Sequence, residues 1–271
     1  MLIAPPLLLA DTCPSGTPVT ATTDADACDA VISYSAPTAH DNCLLASFPT
    51  QPFPQISQQA SGQTFSLGVT SVTWQATDKG GRASTCTFDV MVSDAQAPTI
   101  TCPANIVAAT GSGACTATVT FAAPQGTDNC PGATTTIAAS TNHPSGSTFA
   151  LGTTTVQYNV EDAEALTGSC TFEVLVEDKV APSVVCPSNQ VVTVASGVCD
   201  TVLAYAMATP SDNCAGGLTV LHSGGPASGA TVGLGTHTIS FTAQDGSSNS
   251  ATCSFTIRVE TPDLPSIGQF V

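Results

Sequence analysis

One pattern of cysteines and turns occurs three times in this chain. Three segments end alike, SGQTFSLGVTSVTWQATD, SGSTFALGTTTVQYNVED and SGATVGLGTHTISFTAQD, beginning at Ser61, Ser145 and Ser228. A short turn and a second signature follow each: TCTFDVMV, SCTFEVLV or TCSFTIRV. Trp74, Tyr158 and Phe241 share one position of the pattern and lie 84 and 83 residues apart, as do Cys86, Cys170 and Cys253. Every copy opens on a Cys-Pro pair, at Cys13, Cys102 or Cys186. Every copy also carries an Asp-Asn-Cys triplet, at 41–43, 128–130 or 212–214. Four cysteines per copy, in one order, account for all 12. A short unit that recurs in this way predicts small tandem domains rather than one large barrel.

Within a copy the apolar period is two. In CTFEVLVED, Phe172, Val174 and Val176 face one way and alternate with their neighbours, as in a strand with one buried face. Turn residues punctuate such runs at intervals of roughly 8–12 residues, the spacing of a β-sandwich. The joints VSDAQAPTITCP and VEDKVAPSVVCP are short, and Pro98 and Pro182 fix the chain direction there. The expected architecture is all-β, three tandem β-sandwich modules in an extended rod. Residues 1–94 form the first module with an apolar N-terminal strand, 95–178 the second and 179–261 the third. Residues 262–271 are a C-terminal tail.

Charge narrows the function. Four Lys and Arg against 20 Asp and Glu give a net charge of −16. Clustered cations are missing, so a nucleic-acid backbone or an anionic membrane surface is not the expected partner. No apolar run approaches the roughly 20 residues that cross a bilayer. MLIAPPLLLA does not read as a targeting segment, because it lacks a basic start and is broken by Pro5 and Pro6. Twelve cysteines without CxxC pairs point to disulfides, hence to an oxidising, extracellular or cell-surface location.

The Cys-Pro opening, the Asp-Asn-Cys triplet, the SGSTF-LGTT segment and the ATCSF-like last strand together resemble the hyalin repeat. That resemblance covers about Asp11 to Thr261. It implies an immunoglobulin-like extracellular module with roles in adhesion or matrix, and no catalytic activity. The first copy departs from the pattern by a Pro- and Gln-rich insertion, Leu44 to Ile56.

Four cysteines per module allow three pairings. The first cysteine and the triplet cysteine both sit at one end of the module, which favours first-to-third and second-to-fourth. The expected bonds are Cys13–Cys43, Cys28–Cys86, Cys102–Cys130, Cys115–Cys170, Cys186–Cys214 and Cys199–Cys253.

Aspartates recur in the triplet, in the turn before the last strand and at the joint leaving the module. Strands running as in an immunoglobulin-like module bring Asp94 to Asp128 and Asp162, and Asp178 to Asp212 and Asp245. Three carboxylates with carbonyl oxygens suit Ca²⁺, by analogy with the sites between cadherin domains. Asp41 and Asp78 are the corresponding pair in the first module, and Asp263 is read as the joint aspartate of the third. The alternative role for these side chains is to cap turns.

The four histidines, His40, His143, His222 and His237, do not recur at equivalent positions. No nucleophile elbow, HExxH pair or phosphate loop is present, so no enzyme is expected. No Asn-x-Ser/Thr sequon occurs, whereas Thr134–Thr136 can carry O-glycans.

The tail segment Leu264, Pro265, Ser266, Ile267, Gly268, Gln269, Phe270 and Val271 parallels the first strand of a further module. An orphan strand seeks a sheet edge. It is expected to add to the first module of a neighbouring copy and build a head-to-tail filament. The runner-up is a monomeric fragment of a larger adhesin that recognises a carbohydrate or surface protein through the loop Phe48–Ser61.

Overall fold

The structure is a computed structural model and describes residues 9–10, 13, 18–40, 59–77, 83–137 and 142–262. Every regular element among them is a β-strand. The chain divides into two compact units. One holds Met1–Pro103, Ala123–Asn142 and Gln157–Thr171, and the other holds Ala104–Ala122, His143–Val156 and Phe172–Val271.

In the first unit, Gly68–Thr77 pairs antiparallel with Ala83–Ser93, placing Trp74 opposite Cys86. Val19–Thr22 joins the other edge of Ala83–Ser93 in parallel. Along Ala83–Ser93, buried Cys86, Phe88, Val90 and Val92 alternate with exposed Thr87, Asp89 and Met91, the pattern of a sheet wetted on one face. A smaller sheet pairs Asp29–Ile32 with Gln63–Ser66. Its inner residues Ala30, Ile32 and Phe65 pack on Val72, Trp74, Phe88 and Val90 of the larger sheet. Burying a side chain such as Phe65 contributes about 1.5–3 kcal/mol. Tyr34 closes one end, its ring edge-on to Phe88 at 5.1 Å and its hydroxyl donating to the Gln59 carbonyl at 2.9 Å. The same unit carries the head of the second repeat. There Thr99–Ile100 pairs with Gly126–Thr127, and Thr134–Ile137 pairs with the Tyr158–Glu161 end of the long strand Gly152–Glu161.

In the second unit, Ile106–Ala109 runs parallel to Val174–Glu177, and Thr116–Val119 pairs with Ser147–Ala150. The third repeat follows the plan of the first. Gln190–Thr193, Ser250–Glu260, Gly235–Gln244 and Thr219–Gly224 form one sheet in that order, and Asp200–Val202 pairs with Thr231–Gly233 in the other. Leu203 and Val232 pack on Ile239, Phe241, Phe255 and Ile257. Trp74, Tyr158 and Phe241 are all buried.

The disulfides correct the sequence reading. Cys13–Cys86, Cys102–Cys170 and Cys186–Cys253 form within repeats. Cys28–Cys130 and Cys115–Cys214 join the second cysteine of one repeat to the triplet cysteine of the next. The expected Cys13–Cys43, Cys28–Cys86, Cys102–Cys130, Cys115–Cys170, Cys186–Cys214 and Cys199–Cys253 are therefore not the pairs formed. Among the described residues Cys199 is free and exposed, and Cys43 lies outside them. The physical reason is where each cysteine sits. Cys13 packs against the core that contains Cys86, and Cys186 and Cys253 pack on one core. Their Cα atoms lie 5.6 and 5.7 Å apart, within disulfide reach. The second cysteine instead ends the turn after the first sheet strand, at the exit of the module. The incoming triplet arrives there, with Cα separations of 4.8 Å at both junctions.

Candidate metal centre

Each junction between repeats gathers acidic side chains from three places. Asp94 follows the last strand of the first repeat, Asp128 leads the triplet of the second, and Asp162 opens the turn before its last strand. One carboxylate oxygen from each lies within 4.8 Å of the other two. Asp178, Asp212 and Asp245 gather in the same way at the following junction. Each trio lies within one compact unit.

In the first trio every aspartate divides its oxygens between two tasks. Asp94 Oδ1 accepts from the Thr23 hydroxyl at 3.1 Å, the Gln96 N–H at 3.0 Å and Asn129 Nδ2 at 3.3 Å. Asp128 Oδ2 accepts from the Cys130 N–H at 3.2 Å, an Asx-turn. Asp162 Oδ1 accepts from the N–H groups of Glu164 and Leu166 at 3.0 and 2.8 Å. These bonds account for one oxygen of each. Asp94 Oδ2, Asp128 Oδ1 and Asp162 Oδ2 are sealed from solvent and have no donor. Asn129 contributes a fourth such atom, its Oδ1, while its Nδ2 donates to the Ala27 carbonyl at 2.8 Å.

The second trio repeats this with one change. Asp178 Oδ1 accepts from Thr110 and the Val180 N–H, both at 3.0 Å, and Asp212 Oδ2 from the Cys214 N–H at 2.9 Å. Asp178 Oδ2, Asp212 Oδ1 and Asn213 Oδ1 are buried without a donor. Asp245 Oδ1 caps its own turn through Ser247 and Asn249. Its Oδ2, however, accepts from Asn249 Nδ2 at 2.9 Å. Leu166 holds that position in the first trio and offers no side-chain donor there.

Asp94 and Asp162 are each 7% exposed and Asp178 5%. A buried carboxylate oxygen without a donor is costly, and three carboxylates this close repel one another. Hydrogen bonds therefore account for one oxygen of Asp94, Asp128, Asp162, Asp178 and Asp212 and leave the other without a partner, while Asp245 has both oxygens bonded. The arrangement is compatible with a hard divalent cation. Ca²⁺ takes 6–8 oxygens in flexible geometry, whereas Mg²⁺ demands a near-ideal octahedron and keeps its waters. Both described cations are engaged elsewhere, Lys179 with Glu177 and Arg258 with Glu260. Burial pushes the Asp94 carboxyl up, but hydrogen bonds from Gln96, Asn129, Thr23 and Ala95 outweigh it and hold it below 3.8. Asp245 is likewise held below 3.8, burial being outweighed by Asn249, Ser247 and Ser248.

Asp41, Asp78 and Leu264–Val271 lie outside the described residues. The third repeat departs from expectation at its exit. The Val194 N–H donates to the Glu260 carbonyl, as Thr23 does to Ser93 and Thr110 to Glu177. That register puts Thr261, not Asp263, at the position of Asp94 and Asp178, and Val194 at that of Thr23 and Thr110. Sequence reasoning also missed Asn129 and Asn213. Their recurrence inside the triplet was the available signal.

The HYR domain matches the chain three times, over residues 3–92, 93–176 and 177–259. Hyalin of Strongylocentrotus purpuratus is 32% identical over 246 residues, spanning 86% of this chain and 19% of that protein. Hyalin of Lytechinus variegatus is 31% identical over 238 residues, 84% of this chain and 42% of that protein. The chain thus spans less than half of either relative. Among solved structures, protocadherin gamma B2 extracellular cadherin domains 1–5 align over 97% of this chain and 61% of theirs, with 14% identity and a TM-score of 0.37. Drosophila N-cadherin EC1-4 aligns over 95% and 76%, with 11% identity and a TM-score of 0.35. Likeness at that level carries no argument about function.

Proposed function

We propose, for a chain that belongs to the HYR domain family, an extracellular adhesive or structural role in which Ca²⁺ and a disulfide together fasten each repeat to the next. The five disulfides among the described residues are consistent with an oxidising, extracellular location. Among the described residues no helix is long and apolar enough to cross a membrane. The observation that carries the proposal is the set of buried, donorless oxygens of Asp94, Asp128, Asn129 and Asp162, repeated at the next junction by Asp178, Asp212 and Asn213. In each set the exit of one repeat supplies Asp94 or Asp178, and the entry of the next supplies the rest. A cation bound there is held by both repeats at once. Head-to-tail self-association belongs to the same reading, and its strand-addition form rests on Leu264–Val271.

Calorimetric titration of Ca²⁺ into the chelator-stripped full chain tests the metal reading. Two bound ions per chain, both lost in the Asp128→Asn, Asp212→Asn double variant, are expected. No heat, together with an unchanged melting temperature on adding Ca²⁺, overturns it. For strand addition, a chain ending at Thr261 should remain single under conditions in which the full chain polymerises. Polymers of the shortened chain contradict that route.

A further inference from the structure

The two disulfides that join one repeat to the next are built into the acidic junctions. Cys130 ends the triplet whose first two residues, Asp128 and Asn129, carry buried oxygens without a donor. It is bonded to Cys28 of the preceding repeat, with Cα atoms 4.8 Å apart. Hydrogen bonds run through the same few atoms. The Cys130 N–H donates to Asp128 Oδ2 at 3.2 Å. Asn129 Nδ2 donates to the carbonyl of Ala27, the residue before Cys28, at 2.8 Å, and lies 3.5 Å from Cys130 Sγ. The second junction repeats the arrangement. Cys214 is bonded to Cys115, its N–H donates to Asp212 Oδ2 at 2.9 Å, and Asn213 Nδ2 donates to the Ala114 carbonyl at 3.3 Å and lies 3.6 Å from Cys214 Sγ. Cys13–Cys86, Cys102–Cys170 and Cys186–Cys253 involve no triplet cysteine.

Three carboxylates with oxygens within 4.8 Å of one another repel, and the repulsion acts to part the triplet from Asp94 or Asp178. The disulfide opposes that parting covalently. Once it is open, hydrogen bonds alone hold the triplet in place. A ligand that needs the assembled site then binds more weakly, in proportion to the fraction of chains in which the site is assembled. We propose that Cys28–Cys130 and Cys115–Cys214 are redox controls on the two cation sites, each site binding Ca²⁺ tightly while its disulfide is closed and weakly once a dithiol has opened it. The proposal rests on the Ca²⁺ reading of the trios and adds a regulation to it. Linkage makes the coupling reciprocal, so bound Ca²⁺ makes these two disulfides harder to reduce by the same factor.

Cys28 and Cys115 are half-buried, whereas Cys130 and Cys214 are buried, so a reductant arrives at the Cys28 or Cys115 sulfur. One thiolate of the dithiol attacks there. A mixed disulfide forms, the Cys28–Cys130 bond breaks, and Cys130 leaves as a thiolate that takes up a proton. The second thiol, deprotonated, attacks the reductant's own sulfur in the mixed disulfide. That closes the reductant into a disulfide and releases Cys28 as a thiolate, which is protonated in turn. Overall, one protein disulfide becomes two thiols and one dithiol becomes a disulfide. The second junction reacts in the same way at Cys115 and Cys214.

Two measurements test the coupling. Ca²⁺ is titrated calorimetrically into the oxidised full chain, into the Cys28→Ser, Cys130→Ala variant and into the Cys115→Ser, Cys214→Ala variant. Each variant should lose about tenfold or more in affinity at one site and keep the other site unchanged. The unaltered chain is also equilibrated in dithiothreitol redox buffers with saturating Ca²⁺ or with chelator, and its thiols are mapped by alkylation and peptide mass spectrometry. A tenfold coupling moves the two inter-repeat disulfides about 30 mV more negative with Ca²⁺ and leaves the three within repeats where they were. The Asp128→Asn, Asp212→Asn double variant should lose that shift. Equal Ca²⁺ affinity in the oxidised chain and both cysteine variants overturns the proposal while leaving the cation reading intact. So does an absent shift, or one shared by all five disulfides. An oxidised chain that binds no Ca²⁺ defeats the cation reading itself, and this proposal with it.

Discussion

At the scale of single residues, five of the six junction aspartates give one oxygen to a neighbour and keep the other buried without a donor. Asp128 keeps one oxygen for the Cys130 N–H and leaves the other buried and unpaired beside two more carboxylates. Asp128→Asn preserves an acceptor for Cys130 and removes one negative charge. Without Ca²⁺ it should stabilise the chain by about 1–3 kcal/mol, the scale of a close like-charge contact near a surface. With saturating Ca²⁺ it should be less stable than the parent. Thermal unfolding with and without Ca²⁺ reads both signs, and destabilisation in both conditions contradicts the assignment. Asn249 supplies a second prediction. It occupies Asp245 Oδ2, so the second site should bind Ca²⁺ more weakly than the first. Asn249→Leu should narrow the gap severalfold in calorimetry. Acid supplies a third. The folded-state values of Asp94 and Asp245 lie below 3.8. Their contribution is complete above that value and is lost as pH falls through the folded-state values beneath it. The urea midpoint of the metal-free chain should therefore fall as pH passes below 3.8, and Asp94→Asn should flatten the decline.

At the scale of strands and turns, much was legible because the information is local. Alternation of Phe172, Val174 and Val176 with their neighbours marked the last strand, and the shared position of Trp74, Tyr158 and Phe241 marked the core. The acidic trios were legible too, since three recurring aspartates needed only a chain direction to meet. The disulfides were not. Four cysteines recurring inside a repeat look self-contained, and nothing local says that Cys28 reaches residue 130 rather than residue 86. Only the approach of the next repeat decides it. Removing that bond with Cys28→Ser and Cys130→Ala should cost about 2–4 kcal/mol, since it closes a long stretch of chain spanning 102 residues. Differential scanning calorimetry checks this. A local rule is also testable at Gly225, whose φ is +81° and whose added Cβ would meet the Thr238 carbonyl oxygen at 2.0 Å. That glycine follows the irregular pairing at His222 and Gly224. Gly225→Ala should destabilise by about 2 kcal/mol or more, from strain and overpacking together.

At the scale of the whole molecule, the junction, more than the isolated repeat, is the repeated invention. Each of the two internal junctions combines an inter-repeat disulfide, an asparagine that straps the preceding turn, and an acidic trio drawn from both repeats. The first two devices are formed by protein atoms alone. In the proposed reading a cation completes the third, and this is the claim on which that reading rests. The most direct measurement is an anomalous difference map from crystals of the full chain grown with Ca²⁺. The account predicts one peak per junction, at about 2.3–2.6 Å from Asp94 Oδ2, Asp128 Oδ1, Asn129 Oδ1 and Asp162 Oδ2, and a matching peak beside Asp178 Oδ2, Asp212 Oδ1 and Asn213 Oδ1. Maps with no peak at either trio, the carboxylates bonded instead to water or to one another as acids, would contradict it.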